Sequence, residues 1–167
     1  MDAIRTLAGA IRLLTCDVDG VLTDGRIYIN ASGEEMKAFS VLDGVGLKAL
    51  AAAGVAVAWI SGGSAPAIAH RARSLDVREV VLGTEDKLAA WESIRVSLEL
   101  PPEACAHVGD DLPDLPVFAR CGLAIAVPGA PSSVRERAHY VTRRDGGAGA
   151  VREVCDLILD AQRAHAG

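Results

Sequence analysis

Carboxylates dominate the residues whose type and spacing can do chemistry. Asp17-Val18-Asp19-Gly20-Val21-Leu22-Thr23 places two acids two positions apart, directly after a short apolar run. If the chain loops after Asp17, both side chains enter one site, and Gly20 relieves the crowding where the backbone turns. A solvated acidic turn has the same composition. Gly109-Asp110-Asp111-Leu112-Pro113-Asp114 repeats the theme after another apolar run. Asp111 or Asp114 can serve as a helix N-cap, which leaves Asp110 as a further negative charge beside another. Carboxylates gathered at one place repel unless a cation lies among them. An all-oxygen donor set with few carboxylates suits a hard ion, Mg2+ with retained waters.

Two smaller elements have the same placement. Ser61-Gly62-Gly63 follows an apolar run, and a hydroxyl beside backbone N–H groups in a glycine turn can cradle a phosphate. An ordinary strand-to-helix turn reads the same way. Lys87 follows a third run, within Gly83-Thr84-Glu85-Asp86-Lys87. An exposed helix lysine is its ordinary reading; near a strand end it can instead neutralise phosphoryl charge.

The elements that must position these residues are legible as alternating runs. Strands are expected at 13–16, 55–60, 79–82, 104–108, 124–127 and 139–141. They are apolar throughout, as parallel strands covered on both faces are. Helices are expected at 44–53, 64–74, 85–98, 113–120, 131–137 and 147–163. This βαβα order implies a single α/β domain over 1–167, with a doubly wound, Rossmann-like parallel sheet and helices on both faces. The ligand site of such a sheet lies beyond the carboxyl ends of its strands. One segment breaks the alternation. Arg26–Ile29 and Met36–Val41 flank Asn30-Ala31-Ser32-Gly33-Glu34, the pattern of a β-hairpin projecting over about 25–41. Such a hairpin has little to pack against unless a partner chain covers it, so it reads as an oligomerisation or lid element.

Composition excludes several classes. The formal net charge of −5 argues against nucleic acid as the main partner. No apolar run approaches the ~20 residues of a membrane helix, and the opening Met1-Asp2-Ala3-Ile4-Arg5 lacks the apolar core of a signal peptide, so no membrane association and a cytoplasmic location are expected. Cys16, Cys105, Cys121 and Cys155 form no CxxC pair and read as buried free thiols.

The four chemical elements together resemble the four motifs of the haloacid dehalogenase superfamily of phosphotransferases. The chain is most similar to the capless 3-deoxy-D-manno-octulosonate 8-phosphate phosphatase family, over residues from about 11 to 160. The residues that carry the resemblance are 17–25, Gly33-Glu34-Glu35-Met36-Lys37, Asp43-Gly44, Asp86-Lys87, Gly109-Asp110-Asp111 and Gly146–Glu153. The resemblance implies a Mg2+-dependent phosphatase of sugar-acid phosphates with no cap domain. By the family pattern Asp17 is the nucleophile that becomes an aspartyl-phosphate, and Asp19 is the general acid and base. Ser61, Gly62 and Lys87 bind the phosphoryl group. Asp17, the backbone carbonyl of Asp19, and Asp110 hold the metal, with Asp111 orienting its waters and Asp114 orienting Lys87. The family also implies a homotetramer built through the hairpin and a role toward lipopolysaccharide. One departure stands out: relatives carry Thr-Gly-Arg or Ser-Gly-Arg where this chain has Ser61-Gly62-Gly63. The lost guanidinium removes a bidentate partner for a carboxylate, and Arg71, or failing that Arg73, on the following helix is the candidate to compensate. A nonulosonic-acid 9-phosphate phosphatase is the nearest enzymatic alternative, and a non-catalytic assembly module is the alternative of another class.

Overall fold

The computed structural model describes residues 2–166. Six parallel strands form the central sheet: β1 (Leu13–Cys16), β4 (Ala56–Ser61), β5 (Glu79–Leu82), β6 (Cys105–Gly109), β7 (Leu123–Ala126) and β8 (Tyr140–Val141). The spatial order is β5-β4-β1-β6-β7-β8. The chain winds from β1 outward through β4 to β5, then returns to the other side of β1 as β6. Connections therefore diverge at the ends of β1 and β6, where an open sheet presents its crevice. All six strands lie within a residue of the expected positions. Leu13, Leu14 and Cys16 of β1 and Ala106 and Val108 of β6 are wholly buried, consistent with a sheet covered on both faces.

Helices flank the sheet. α1 (Asp2–Gly9) and α2 (Val41–Ala52) each pack against α7 (Ala150–Ala166), and α4 (Lys87–Ser97) packs with α5 (Leu115–Phe118). α3 (Pro66–Ser74) and α6 (Ser132–Arg135) complete the connections. The helix expected over 113–120 is instead a 3-10 turn, Leu112–Asp114, followed by short α5. Pro113 and Pro116 supply no backbone N–H to a longer ladder. The last helix starts at Ala150 rather than 147. The buried Asp43 carboxylate accepts a hydrogen bond from the Arg152 N–H at 2.8 Å and so caps α7 from a neighbouring helix.

The hairpin is present but shorter than expected. β2 (Tyr28–Ile29) and β3 (Glu35–Met36) are paired antiparallel, Tyr28 opposite Met36. The second arm does not run to Val41. Ser40 accepts a hydrogen bond from the Leu42 N–H at 3.2 Å and caps α2, so Val41 opens a helix. The turn that was legible is in place: Gly33 N–H donates to the Asn30 carbonyl at 3.0 Å.

Candidate active site

Each functional side chain is delivered by the carboxyl end of a strand. Asp17 follows β1, and its N–H donates to the Val108 carbonyl of β6 at 2.9 Å, which extends the β1–β6 ladder to the first site residue. Asp110 follows β6, Ser61 ends β4, and Lys87 opens α4 after β5. Asp86 caps that helix by accepting from the Ala89 N–H at 2.9 Å. Asp17, Asp19, Ser61, Gly62, Gly63, Lys87, Asp110 and Asp111 all line one cleft of about 370 Å³.

Two glycines are required by the closeness of these groups. Gly20 has φ +92°, and a Cβ there would stand 2.1 Å from Asp110 Oδ2. A Cβ on Gly109 would stand 2.4 Å from Asp114 Cγ. Side chains at either position would displace a carboxylate.

Asp114 lies beneath the cleft and is completely buried. Its Oδ1 accepts from Lys87 Nζ at 2.7 Å and from His107 Nε2 at 2.9 Å. Its Oδ2 accepts from the N–H groups of Asp110 at 3.0 Å and Asp111 at 3.2 Å. Lys87 Nζ also reaches Asp17 Oδ1 at 2.9 Å. The ammonium is thus suspended between Asp114 below and Asp17 at the cleft floor. His107 is oriented in turn by Thr15, its cross-strand partner, whose Oγ1 lies 2.8 Å from Nδ1.

Electrostatics follow from burial. Asp110 is pushed up to about 8, first by burial and then by the adjacent Asp17 carboxylate. Burial also raises Asp17, although Lys87 pulls against it. Burial acts to raise Asp114 too, but His107 and Lys87 overcome it and hold that carboxyl well below the usual range. Burial works against the charge on Lys87, and Asp17 and Asp114 outweigh it, so its pKa is raised. Among the described residues, Asp17, Asp110 and Asp114 form a cluster in which one carboxylate oxygen from each lies within 4.8 Å of the others. Both Asp114 oxygens already carry two donors each, so the oxygens facing the cleft for a cation are those of Asp17 and Asp110. A buried and a partly buried carboxylate in contact, the second forced to a high pKa, are the donor chemistry a divalent cation relieves.

The remaining expected residues are placed as follows. Ser61 is buried, and its Oγ accepts from the Gly63 N–H at 3.0 Å, which leaves the hydroxyl proton free to donate. Asp111 accepts from the Leu112 N–H at 2.7 Å and caps the 3-10 turn. Arg71 is not in the cleft lining; its Nη2 donates to the Ser40 carbonyl at 3.4 Å at the start of α2. Gly63 is closely approached by Asp19, whose Oδ2 would lie only 2.9 Å from a Cβ there. His107 was missed in the sequence, since it sits inside a strand read as apolar. Lys37, quoted with the hairpin motif but given no role there, contacts Asp19. A single histidine in an apolar run just before Gly109-Asp110 was the available signal for the first.

Comparison with known proteins finds relatives in both sequence and fold. The description of haloacid dehalogenase-like hydrolases matches residues 70–153. The chain is 48% identical over 161 residues to the 3-deoxy-D-manno-octulosonate 8-phosphate phosphatase of Yersinia pestis, a match that covers 96% of this chain and 86% of that protein. The crystal structure of the Yersinia pestis phosphatase is similar with a TM-score of 0.96, covering 99% of this chain and 90% of that one. The phosphatase of Moraxella catarrhalis, crystallised with a magnesium ion, a phosphate ion and a KDO molecule, is 43% identical with a TM-score of 0.95, covering 98% and 94%.

Proposed function

The chain belongs to the 3-deoxy-D-manno-octulosonate 8-phosphate phosphatase family of haloacid dehalogenase-like hydrolases, and from that premise we propose that it hydrolyses 3-deoxy-D-manno-octulosonate 8-phosphate to the free sugar acid and phosphate. It is a phosphoric monoester hydrolase, and Mg2+ is its metal. The observation that carries the reading is the convergence of Asp17, Asp110, Ser61 and Lys87 on one cleft from four strands of one sheet. The relative crystallised with magnesium, phosphate and KDO supports the substrate class.

The side chains of Asp17 and Asp110, with the backbone carbonyl of Asp19, would hold the ion. Bound there, it supplies Lewis-acid neutralisation of phosphoryl charge. Everything else falls to the chain. Lys87 and Ser61, with the N–H groups of the Gly62-Gly63 turn, hold phosphoryl oxygens and set the phosphorus in line with Asp17. The Asp17 carboxylate attacks, a carboxylate oxygen–phosphorus bond forms, and the ester P–O bond breaks. Asp19 gives its proton to the departing alkoxide. It then takes one from the water that attacks the phosphorus of the aspartyl-phosphate, which regenerates Asp17 and releases phosphate. Asp114 keeps Lys87 directed at the reacting group. Asp111, at the cleft edge, is the candidate to orient metal-bound water. Because Gly63 offers no guanidinium, Arg71 is the proposed partner for the substrate carboxylate; its single long hydrogen bond leaves it free to re-orient.

The chain acts as one domain, and the hairpin is proposed to join subunits into a homotetramer. The support is a set of exposed apolar side chains, Ile27 at 71%, Ile29 at 65% and Met36 at 54% on the hairpin, with Val41 at 74% at the adjoining start of α2. No described helix is long and apolar enough to cross a membrane; a cytoplasmic role toward lipopolysaccharide is the reading the family supports. Phosphate release from 3-deoxy-D-manno-octulosonate 8-phosphate and from a nonulosonate 9-phosphate, with Mg2+ or with EDTA, tests the assignment. Metal-dependent turnover favouring the first ester is expected. A preference for the nonulosonate ester would reassign the substrate, and no turnover of either ester would leave only an assembly role.

A further inference from the structure

One contact between the hairpin and the cleft is used by neither the carboxylate cluster nor the phosphoryl-binding turn. Lys37 follows β3, and its side chain runs inward with only 4% of its surface exposed. Its Nζ lies 2.5 Å from Asp19 Oδ1 and 2.6 Å from Glu35 Oε1. Asp19 itself is more open, with 39% of its side chain exposed. Its second oxygen, Oδ2, turns toward the Ser61-Gly62-Gly63 turn, where it would lie 2.9 Å from a Cβ on Gly63. One oxygen of the Asp19 carboxylate is therefore tied to the hairpin while the other faces the phosphoryl-binding side of the cleft.

Ordering a lysine stem costs up to about 2 kcal/mol of rotamer entropy, and an exposed lysine–carboxylate pair rarely returns more than about 1 kcal/mol. Here the stem is buried, so the ammonium has a fixed position rather than a mobile one. A proton donor works only when its oxygen is held within hydrogen-bond reach of the departing atom. An exposed aspartate at a loop has little else to fix its χ angles. Lys87 does not do so: its ammonium pairs with Asp17 and Asp114.

We propose that Lys37 is a positioning residue that clamps Oδ1 of Asp19 so that Oδ2 is presented to the ester oxygen of the leaving group, which couples the hairpin to proton transfer. The inference rests on the reading of Asp19 as general acid. The hairpin then contributes to the chemistry as well as to assembly: displacement of β3 moves Lys37, and with it the acid.

Leaving-group dependence separates this role from a structural one. A p-nitrophenolate leaves without protonation, whereas the alkoxide of a sugar phosphate does not. Lys37→Met and Asp19→Asn are compared with the parent enzyme, with Mg2+ present, on p-nitrophenyl phosphate and on 3-deoxy-D-manno-octulosonate 8-phosphate. General-acid catalysis contributes roughly 100- to 10,000-fold. Loss of positioning in Lys37→Met is therefore expected to lower kcat on the sugar phosphate by roughly 30-fold or more, and on p-nitrophenyl phosphate by less than about 3-fold. The ratio of the two is independent of how much variant is folded. Equal losses on both esters, or no loss on either, would overturn the inference while leaving the phosphatase reading intact if Asp19→Asn shows the leaving-group bias. Absence of that bias in Asp19→Asn would overturn the acid assignment and the inference together. A parent enzyme inactive on both esters would instead sink the phosphatase reading.

Discussion

Asp114 shows how a buried charge is made tolerable and useful at once. It accepts from two side chains and two backbone N–H groups, which together offset the cost of taking a carboxylate out of water. In Asp114→Asn an amide N–H must face one of those donors, and Lys87 loses its lower anchor. Breaking a buried pair of this kind costs about 3–5 kcal/mol, so urea denaturation is expected to show a loss of that order, with kcat reduced more than KM rises. His107→Phe removes one hydrogen bond to a charged group, about 1.5–3 kcal/mol, and a smaller loss on the same curve is the expected outcome.

With the raised Asp17 and Asp43 acting in the same sense, Asp110 contributes a pH dependence to the metal-free protein. Its folded pKa of about 8 lies above the ordinary 3.8, so between those values the native state keeps a proton that the unfolded chain has released. Stability therefore falls as pH rises from about 4 to about 8 and levels off beyond. Asp114 contributes in the opposite sense, but its contribution is lost only in acid and is constant across this window. Thermal unfolding in EDTA is expected to give a Tm that declines from pH 5 to pH 8, and Mg2+ is expected to raise Tm most at the upper end. A Mg2+ effect that is largest at pH 5 would contradict the placement of the ion beside Asp110. Asp17, Asp110, Ser61 and Lys87 were legible in the sequence because each follows an apolar run, so the strand pattern itself points at them. His107 was not, because its role depends on the Thr15–His107 register, which no single strand reveals. Lys37 was named with the hairpin motif, but its contact with Asp19 spans two separate elements and no local pattern reveals it.

At the scale of elements, the hairpin was half legible. Its turn residues, Asn30 to Gly33, fix the reversal, as local chemistry does. Its second arm was read too long because Met36–Val41 has strand-like composition, while the Ser40 hydroxyl and the following helix compete for the same residues and win. What remains is a two-residue ladder that cannot be stable alone, and its exposed Ile27 and Ile29 offer the surface that assembly would cover. Ile27→Glu combined with Ile29→Glu is expected to lower the mass measured by light scattering. For the isolated chain, exposed substitutions change stability by no more than about 0.5 kcal/mol each. An unchanged mass would remove the hairpin from the subunit contact.

At the scale of the molecule, the alternation of apolar runs and amphipathic stretches gave the parallel sheet and nearly all its strands. Strand order is a different matter. The handedness of crossovers is fixed by chain twist, but the reversal that brings β6 back beside β1 is set by packing of whole layers. α1 went unread although Ile4, Leu7, Ala8 and Ile11 carry helical spacing; it packs on α7, and Gln162 Nε2 donates to the Ile11 carbonyl at 2.8 Å, a contact between opposite ends of the chain. The sheet thus brings four strand ends to one cleft, and the account turns on what Asp17 does there. The most direct measurement is acid quench of a single turnover with Mg2+ and 3-deoxy-D-manno-octulosonate 8-phosphate, followed by peptide mass spectrometry. A phosphoryl group on the peptide at Asp17, absent in an inactive Asp17→Asn variant, is the predicted result. Turnover by Asp17→Asn at the parent rate, or a phosphoryl group trapped on another residue, would contradict it.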